Sequence, residues 1–268
     1  MQTLRHYLLA VQFFTRIPVT GRLADWVGYS PAMLRASAAH FPGIGWLAAL
    51  LAAGVYGGLH WALTPNPLAP AVAAVLSTVA TVLMTGGFHE DGLADVADGL
   101  GGSVQRERAL DIMKDSRIGA FGAMALVLAL LSKLALLSLL GAHSLAVALS
   151  ALVGAHVLSR LWPLFIVRNL PHVGDTARSK SKPLADQISG GALATAVVWC
   201  FVPLALVWHA QSAIFLIASA ALSAAAAAWM ARWFARRLQG FTGDCLGATQ
   251  QVSEIGFYLG AALALRWA

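Results

Sequence analysis

Seven apolar stretches recur along the chain, at 42–63, 68–86, 119–140, 144–167, 188–208, 211–231 and 252–267. Runs of about 20 such residues match the hydrocarbon thickness of a bilayer when coiled as a helix. In lipid a backbone must satisfy its own N–H and C=O groups, so spanning segments of this kind are helices. Composition agrees: 59% of the 268 residues are hydrophobic and 11% charged, with a mean hydropathy of +0.71. The chain therefore reads as an all-α, polytopic transmembrane helical bundle of about seven spans, a single integral membrane domain over 1–268. The alanine-rich run Ala221–Ala228 within one span permits close helix packing.

The connectors divide into two classes. Those at 64–67, 141–143 and 209–210 contain no Lys, Arg, Asp or Glu. The segments 1–37, 87–118 and 168–187 carry four Lys or Arg each and 232–251 carries three, which is 15 of the 18 in the chain. Cytoplasmic loops concentrate Lys and Arg, so the N-terminus and the three long loops are expected in the cytoplasm, with all 12 acids assigned to that side. Lys133 and Arg160 remain within spans, where a lone charge is costly. Lys133 is expected to reach the outer interface along its own stem; Arg160 points at the acidic site or makes a structural pair. Near the N-terminus, LRHYLLAVQFFTRIP places Arg5, Gln12 and Arg16 on one polar stripe of a short helix. Too charged to span, it reads as an interfacial amphipathic helix whose stripe faces water or ligand. Cys200 lies in an apolar run and Cys245 in a charged loop, so neither a disulfide nor a CxxC metal pair is expected.

One stretch carries chemistry. Gly86–Gly122 holds seven of the 12 acids. At 100° per residue, a helix over Glu90–Asp98 aligns Asp91, Asp95 and Asp98 in one narrow stripe. Carboxylates about 5 Å apart repel by about 3 kcal/mol per ionised pair at an effective dielectric of about 20, so the stripe calls for a cation. Hard oxygen ligands beside a phosphate substrate suggest Mg²⁺. A merely solvated loop would not need this spacing with Leu93, Ala94, Val96 and Ala97 on the other faces. Further on, Glu107, Asp111 and Asp115 interleave with Arg106, Arg108, Lys114 and Arg117, and some of these are ordinary helix ion pairs. Lys114, Asp115 and Arg117 stand just before the next span, where they suit a metal-bound diphosphate. In the last loop Asp244 sits among Gly240, Gly243 and Gly247, which allow close backbone approach. Its plain alternative is an N-cap, in competition with Thr242. Arg178, Lys180 and Lys182 either cover anionic substrates or serve orientation alone.

Four stretches together, FFTRIPV at Phe13–Val19, HEDGLADVADG at His89–Gly99, KDSRIGAFG at Lys114–Gly122 and GFTGDCLGA at Gly240–Ala248, resemble the cobalamin synthase (adenosylcobinamide-GDP ribazoletransferase) family over essentially the full chain. The resemblance implies a multi-pass enzyme of the bacterial inner membrane, dependent on Mg²⁺. It implies adenosylcobinamide-GDP and α-ribazole, or its 5′-phosphate, as substrates, with release of GMP. Carried over by position, Glu90, Asp91, Asp95, Asp98 and Asp244 are the candidate metal-site residues, and Lys114, Asp115 and Arg117 join Asp98 as catalytic candidates. Arg16, Arg160, Arg178 and Lys180 are the candidate substrate-binding cations. His89 ranks lower, and Gln251 departs from an expected acid. The partners implied are the substrates and the bilayer, with room for a homo-oligomer or other cobalamin-pathway enzymes and no nucleic acid.

The chemistry can also be argued from the residues. An alcohol attacking a diphosphate needs the leaving phosphate neutralised and the attacking oxygen held in line, which metals and cations supply. Asp98 or Asp115 would take the hydroxyl proton. Asp95, Asp98, Asp111 and Asp115 are also similar to elements of the CDP-alcohol phosphotransferases, which makes a lipid-headgroup transferase the alternative. A cation-coupled transporter fits less well, because its ionisable groups would sit at the bilayer midplane.

Overall fold

The computed structural model describes residues 1–174 and 188–267. Arg178, Lys180 and Lys182 lie outside them. Apart from one parallel bridge between His172 and Phe241, the regular structure among the described residues is helical. Three short helices open the chain: α1 (Gln2–Phe14), α2 (Gly21–Val27) and α3 (Pro31–Ser37). The long helices follow as α4 (Phe41–Leu63), α5 (Ala69–Thr85), α8 (Ala120–His143), α9 (Leu145–Leu158), α11 (Gly190–Ala210), α12 (Ala213–Arg237) and α13 (Gly243–Ala264). Between them stand α6 (Phe88–Gly102), α7 (Arg106–Met113) and α10 (Trp162–Asn169). The result is a polytopic helical bundle.

Each of the seven apolar runs is helical, the one at 144–167 as α9 and α10 in succession, and two others depart from the simple span expected. By length and composition, Pro31–Leu63, Ala120–His143, Leu145–Asn169, Gly190–Ala210 and Ala213–Arg237 can cross a membrane. The run at 68–86 becomes the 17-residue α5, which qualifies only together with α6, and the two meet at 90°. The elbow is local chemistry: Gly86 and Gly87 take φ of 71° and 72°, the left-handed region that costs other residues about 1–2 kcal/mol each. The last run begins as helix at Gly243, well before residue 252. As α13 it carries Gln250, Gln251, Ser253 and Glu254, all buried, so it lacks the apolar character of a simple span.

Small residues let α12 and α13 meet. Gly256 faces Leu222 O and Ala226 Cβ, where an added Cβ would stand 2.9 and 3.2 Å away, and Gly260 faces Ala218 and Ser219. This small-xxx-small face against the alanine-rich run replaces side-chain interdigitation with backbone contact. Elsewhere hydrogen bonds cross the bundle: Tyr56 OH donates to Leu137 O at 3.1 Å, Trp46 Nε1 to Trp199 O at 2.9 Å and Trp162 Nε1 to Ser223 Oγ at 2.8 Å.

Two charge assignments need correcting. Lys133 does not reach outward: its Nζ pairs with Glu254 Oε1 at 2.6 Å, and both side chains are buried. Glu254 accordingly stands inside the bundle. A buried pair keeps both charges compensated without the strain of a stem stretched through lipid.

Candidate active site

The elbow builds the site. Gly86 caps α5 through its N–H to Val82 O, and Gly87 N–H reaches the same carbonyl at 3.0 Å. Arg16, just past the end of α1, is fastened here, its N–H donating to Met84 O at 2.6 Å and its guanidinium lying over the bare face of Gly86. From the elbow α6 departs with Asp91 exposed, Asp95 half-buried and Asp98 buried, so the expected stripe exists but runs inward.

The first turn of α13 closes the other side. Gly92 faces the backbone of Asp244, where an added Cβ would stand 2.8 Å from its O and 3.0 Å from its Cα; Gly247 faces the backbone of His89 in the same way at 3.2 Å. These bare faces bring Asp244 beside the acidic stripe despite the distance in sequence. Thr242 occupies the N-cap position and its Oγ1 donates to Asp244 Oδ2 at 3.2 Å, so Asp244 belongs to the first turn and is not the cap.

A cavity of about 640 Å³ opens between α1, the elbow, α6 and the loop before α8, lined by Gln12, Arg16, Thr85, Asp91, Asp95 and Ser116 among others. Phe13 and Phe88 line both this cavity and a small apolar crevice behind it. Burial, then the field of Asp244, Asp91 and Asp98, pushes the Asp95 carboxyl up to about 7. Burial raises Asp244 to about 6, with Asp91 adding to it against the Thr242 hydrogen bond. The carboxylates therefore sense one another and are held together against repulsion, the electrostatic condition that a cation relieves.

Among the described residues no group of three or more His, Cys, Asp or Glu side chains could hold a metal ion between them. The donor chemistry here is of another kind. Mg²⁺ usually takes one or two carboxylates and completes its shell with waters and substrate phosphates. Asp91 and Asp244, two carboxylates on facing helices, are donors of that kind.

The other expected site residues are placed differently. Asp98 accepts from Gly119 N at 2.7 Å through Oδ2 and from Gly122 N at 2.8 Å through Oδ1. Both oxygens are engaged in capping the first turn of α8, a structural task that removes it from the cavity lining. Glu90, roughly a quarter turn from Asp91, faces the bundle interior, where Gln251 Nε2 donates to its Oε1 at 3.0 Å. Gln251 thus supplies a donor to an acid where a second acid would have repelled it. Arg160 is buried between α9 and α10: its Nη1 donates to His156 O at 2.8 Å and its guanidinium lies 5.8 Å from the Phe41 ring centroid. Asp115 and Arg117 form an exposed pair at 2.6 Å, which holds the carboxyl down at about 2, and neither lines the cavity. Lys114 is likewise outside the lining.

Gln12, Thr85 and Ser116 line the cavity without having been singled out as ligands from sequence. Gln12 shared a polar stripe with Arg16, which is a usable signal. Thr85 closes an apolar run, and nothing local distinguishes it from a helix-terminal residue.

A family model described as cobalamin-5-phosphate synthase matches residues 6–262 of the chain. A protein of Polaromonas sp. is 64% identical, covering 98% of each chain, and one of Albidiferax ferrireducens is 64% identical, covering 98% of this chain and 99% of the relative. A more distant relative from Leptothrix cholodnii is 47% identical, covering 96% of this chain and 94% of its own. All three are named adenosylcobinamide-GDP ribazoletransferase. No solved structure matches.

Proposed function

The chain belongs to the cobalamin-5-phosphate synthase family of enzymes, and we propose that its cleft joins adenosylcobinamide-GDP to α-ribazole or α-ribazole 5′-phosphate. The observation that carries this reading is one cavity lined by a fastened guanidinium, Arg16, and by Asp91 and Asp95, with Asp244 packed beside them. In the reaction a ribazole hydroxyl oxygen forms a bond to the phosphorus that bears cobinamide. The bond from that phosphorus to the bridging oxygen breaks, and GMP leaves with the electron pair.

Arg16 binds the anionic diphosphate at the elbow. Its backbone attachment to Met84 keeps the cation in place before substrate arrives, which is the orientation such a displacement rewards. Asp95 receives the hydroxyl proton: it lines the cavity, and its burial raises the carboxyl above the ordinary carboxylate range, which favours uptake of a proton. This replaces Asp98 and Asp115 as proton acceptors, since one is consumed by backbone N–H groups and the other by Arg117. Asp91 and Asp244 would hold Mg²⁺ together with substrate oxygens, and the ion would supply the charge neutralisation that a diphosphate needs at an acidic surface. Phe13 and Phe88 present an apolar wall that limits water at the reacting groups.

The orientation follows the distribution of basic residues: the cleft faces the cytoplasm of a bacterial inner membrane. Single tags at Asn66 and at Ser103 should then report periplasm and cytoplasm, and a shared compartment would reverse the topology. For the activity, protein reconstituted in vesicles is given adenosylcobinamide-GDP with ribazole, ribazole 5′-phosphate or diacylglycerol, and GMP release is followed with and without Mg²⁺. GMP release with either ribazole acceptor supports the reading. Release with diacylglycerol alone would make the protein a lipid-headgroup transferase.

A further inference from the structure

Behind the cleft, a chain of polar side chains crosses the bundle interior. Gln251 Nε2 donates to Glu90 Oε1 at 3.0 Å and to Gln250 Oε1 at 2.9 Å. Gln250 Nε2 donates to Ser159 Oγ at 3.0 Å and to Glu254 Oε2 at 2.6 Å. Glu254 also receives Tyr258 OH at 3.0 Å and pairs with Lys133 at 2.6 Å, and His156 Nδ1 stands 3.5 Å from its other oxygen. Arg160, on the carbonyl of His156, completes the set. His156 apart, the network holds two cations, Lys133 and Arg160, and two anions, Glu90 and Glu254.

Its ends lie on the helices that frame the cleft. Glu90 precedes Asp91 on α6, Gln251 and Glu254 lie on α13 below Asp244, Lys133 is on α8 and Arg160 follows α9. Among the described residues, Glu90 Oε2 and Arg160 Nε are both buried without a hydrogen-bond partner, and the fields of Glu254 and Glu90 both bear on Arg160. In an apolar interior such charges are tolerable only in balance.

We propose that Glu90 and Gln251 are positioning residues. Their hydrogen bond, anchored through Gln250 and Glu254 to Lys133 and Arg160, sets the rotation of α6 against α13. It thereby sets the place of Asp91 and Asp95 relative to Asp244. Nonpolar packing at Gly92 and Gly247 fixes how closely the helices approach but leaves them free to slip or turn on a smooth contact. A directional bond beside the contact removes that freedom. The inference rests on the transferase reading of the cleft, but the network itself does not.

The test moves the charge across the bond. Glu90→Gln removes one anion, and Glu90→Gln with Gln251→Glu restores it one residue away with donor and acceptor exchanged. Thermal unfolding in vesicles and turnover of adenosylcobinamide-GDP are measured for both. The single variant should lose on the order of 10 °C in Tm. Its kcat should fall about tenfold or more, with KM and the Mg²⁺ concentration for half-maximal rate within about twofold. The exchanged pair restores the charge balance and the bond between α6 and α13 but leaves Gln250 Oε1 without the donor that Gln251 supplied, so it should regain more than half of the lost Tm and bring kcat to within about threefold of the parent. An exchanged pair with Tm so regained but no turnover would overturn the proposal, because Glu90 would then act on metal or substrate directly. So would a Glu90→Gln protein of lowered Tm and undiminished kcat. If Glu90→Gln does not accumulate, Gln251→Asn draws the amide out of reach with all charges kept, and the same split between kcat and KM is expected. Parent protein that makes no product would fail the transferase reading, while recovery of Tm in the exchanged pair still reads the network.

Discussion

Replacing Asp95 by Asn should make the metal-free protein more stable and far less active. The Asp95 carboxyl stands at about 7 in the folded protein against an ordinary 3.8. A raised acid binds its proton more tightly when folded, so its contribution is most favourable below the unfolded value and is lost as pH rises from about 4 to about 7. The full shift corresponds to about 4 kcal/mol at 1.36 kcal/mol per unit, and solvent screening of a half-buried group reduces this to about 1–2 kcal/mol. At pH 8 in EDTA, Asp95→Asn should therefore unfold about 2–6 °C above the parent, and at pH 4 the two should coincide. Mg²⁺ should raise the parent's Tm more at pH 8 than at pH 5, and should raise the variant's less at either. Turnover should fall by about 10²–10⁴, the usual worth of a positioned proton acceptor. Differential scanning calorimetry in vesicles with parallel GMP release measures all of this. A variant less stable than the parent at pH 8 without metal would show that the carboxylate makes a net favourable contact, and the repulsion argument would fail.

Other perturbations read other parts of the construction. Gly92→Ala puts a methyl 2.8–3.0 Å from the Asp244 backbone, so α6 and α13 must separate; a cost of about 1–3 kcal/mol in thermal unfolding and a loss of turnover are expected, and unaltered turnover would detach Asp244 from the site. Asp98→Ala strands two N–H groups of α8 and should cost about 1–3 kcal/mol, with Asn, which keeps one acceptor, costing less. If Asp98→Asn abolishes turnover at unchanged Tm, Asp98 takes part in the chemistry. Lys133→Met leaves Glu254 buried without its cation and should destabilise by about 3–5 kcal/mol, partly relieved when Glu254→Gln is added. A neutral Lys133→Met would restore the picture of a side chain reaching the outer interface.

What the sequence disclosed depended on how local the cause was. The apolar runs gave the helices because lipid and backbone hydrogen bonding leave no other choice. Helical arithmetic aligned Asp91, Asp95 and Asp98 on one helix face, yet it could not reveal that the far end of the stripe meets the start of α8, where Asp98 accepts from the backbone N–H groups of Gly119 and Gly122. Asp244 was legible through its flanking glycines, which announce close backbone approach whatever the partner is. Lys133 and Glu254 were misjudged for a common reason: each is costly alone, and only tertiary packing shows that each is the other's solution. Glu90 shared a motif with Asp91, but adjacency in a helix puts neighbours about 100° apart, and that angle separates cleft from core.

The elbow explains why one segment carries so much of the site. Had α5 continued straight, the acids of α6 would have extended the helix along the membrane normal, away from any second wall. Turning by 90° at Gly86 brings the acidic helix against α13, which packs on it through Gly92 and Gly247. The same turn bares the face of Gly86, and Arg16 occupies it; a Cβ there would stand 3.0–3.1 Å from its Nη2 and Cζ. One backbone feature thus sets the acids, admits the basic group that opposes them and ends the apolar helix. A cation and carboxylates fixed to a single rigid turn keep their relative places when a diphosphate enters, and a displacement at phosphorus depends on that constancy.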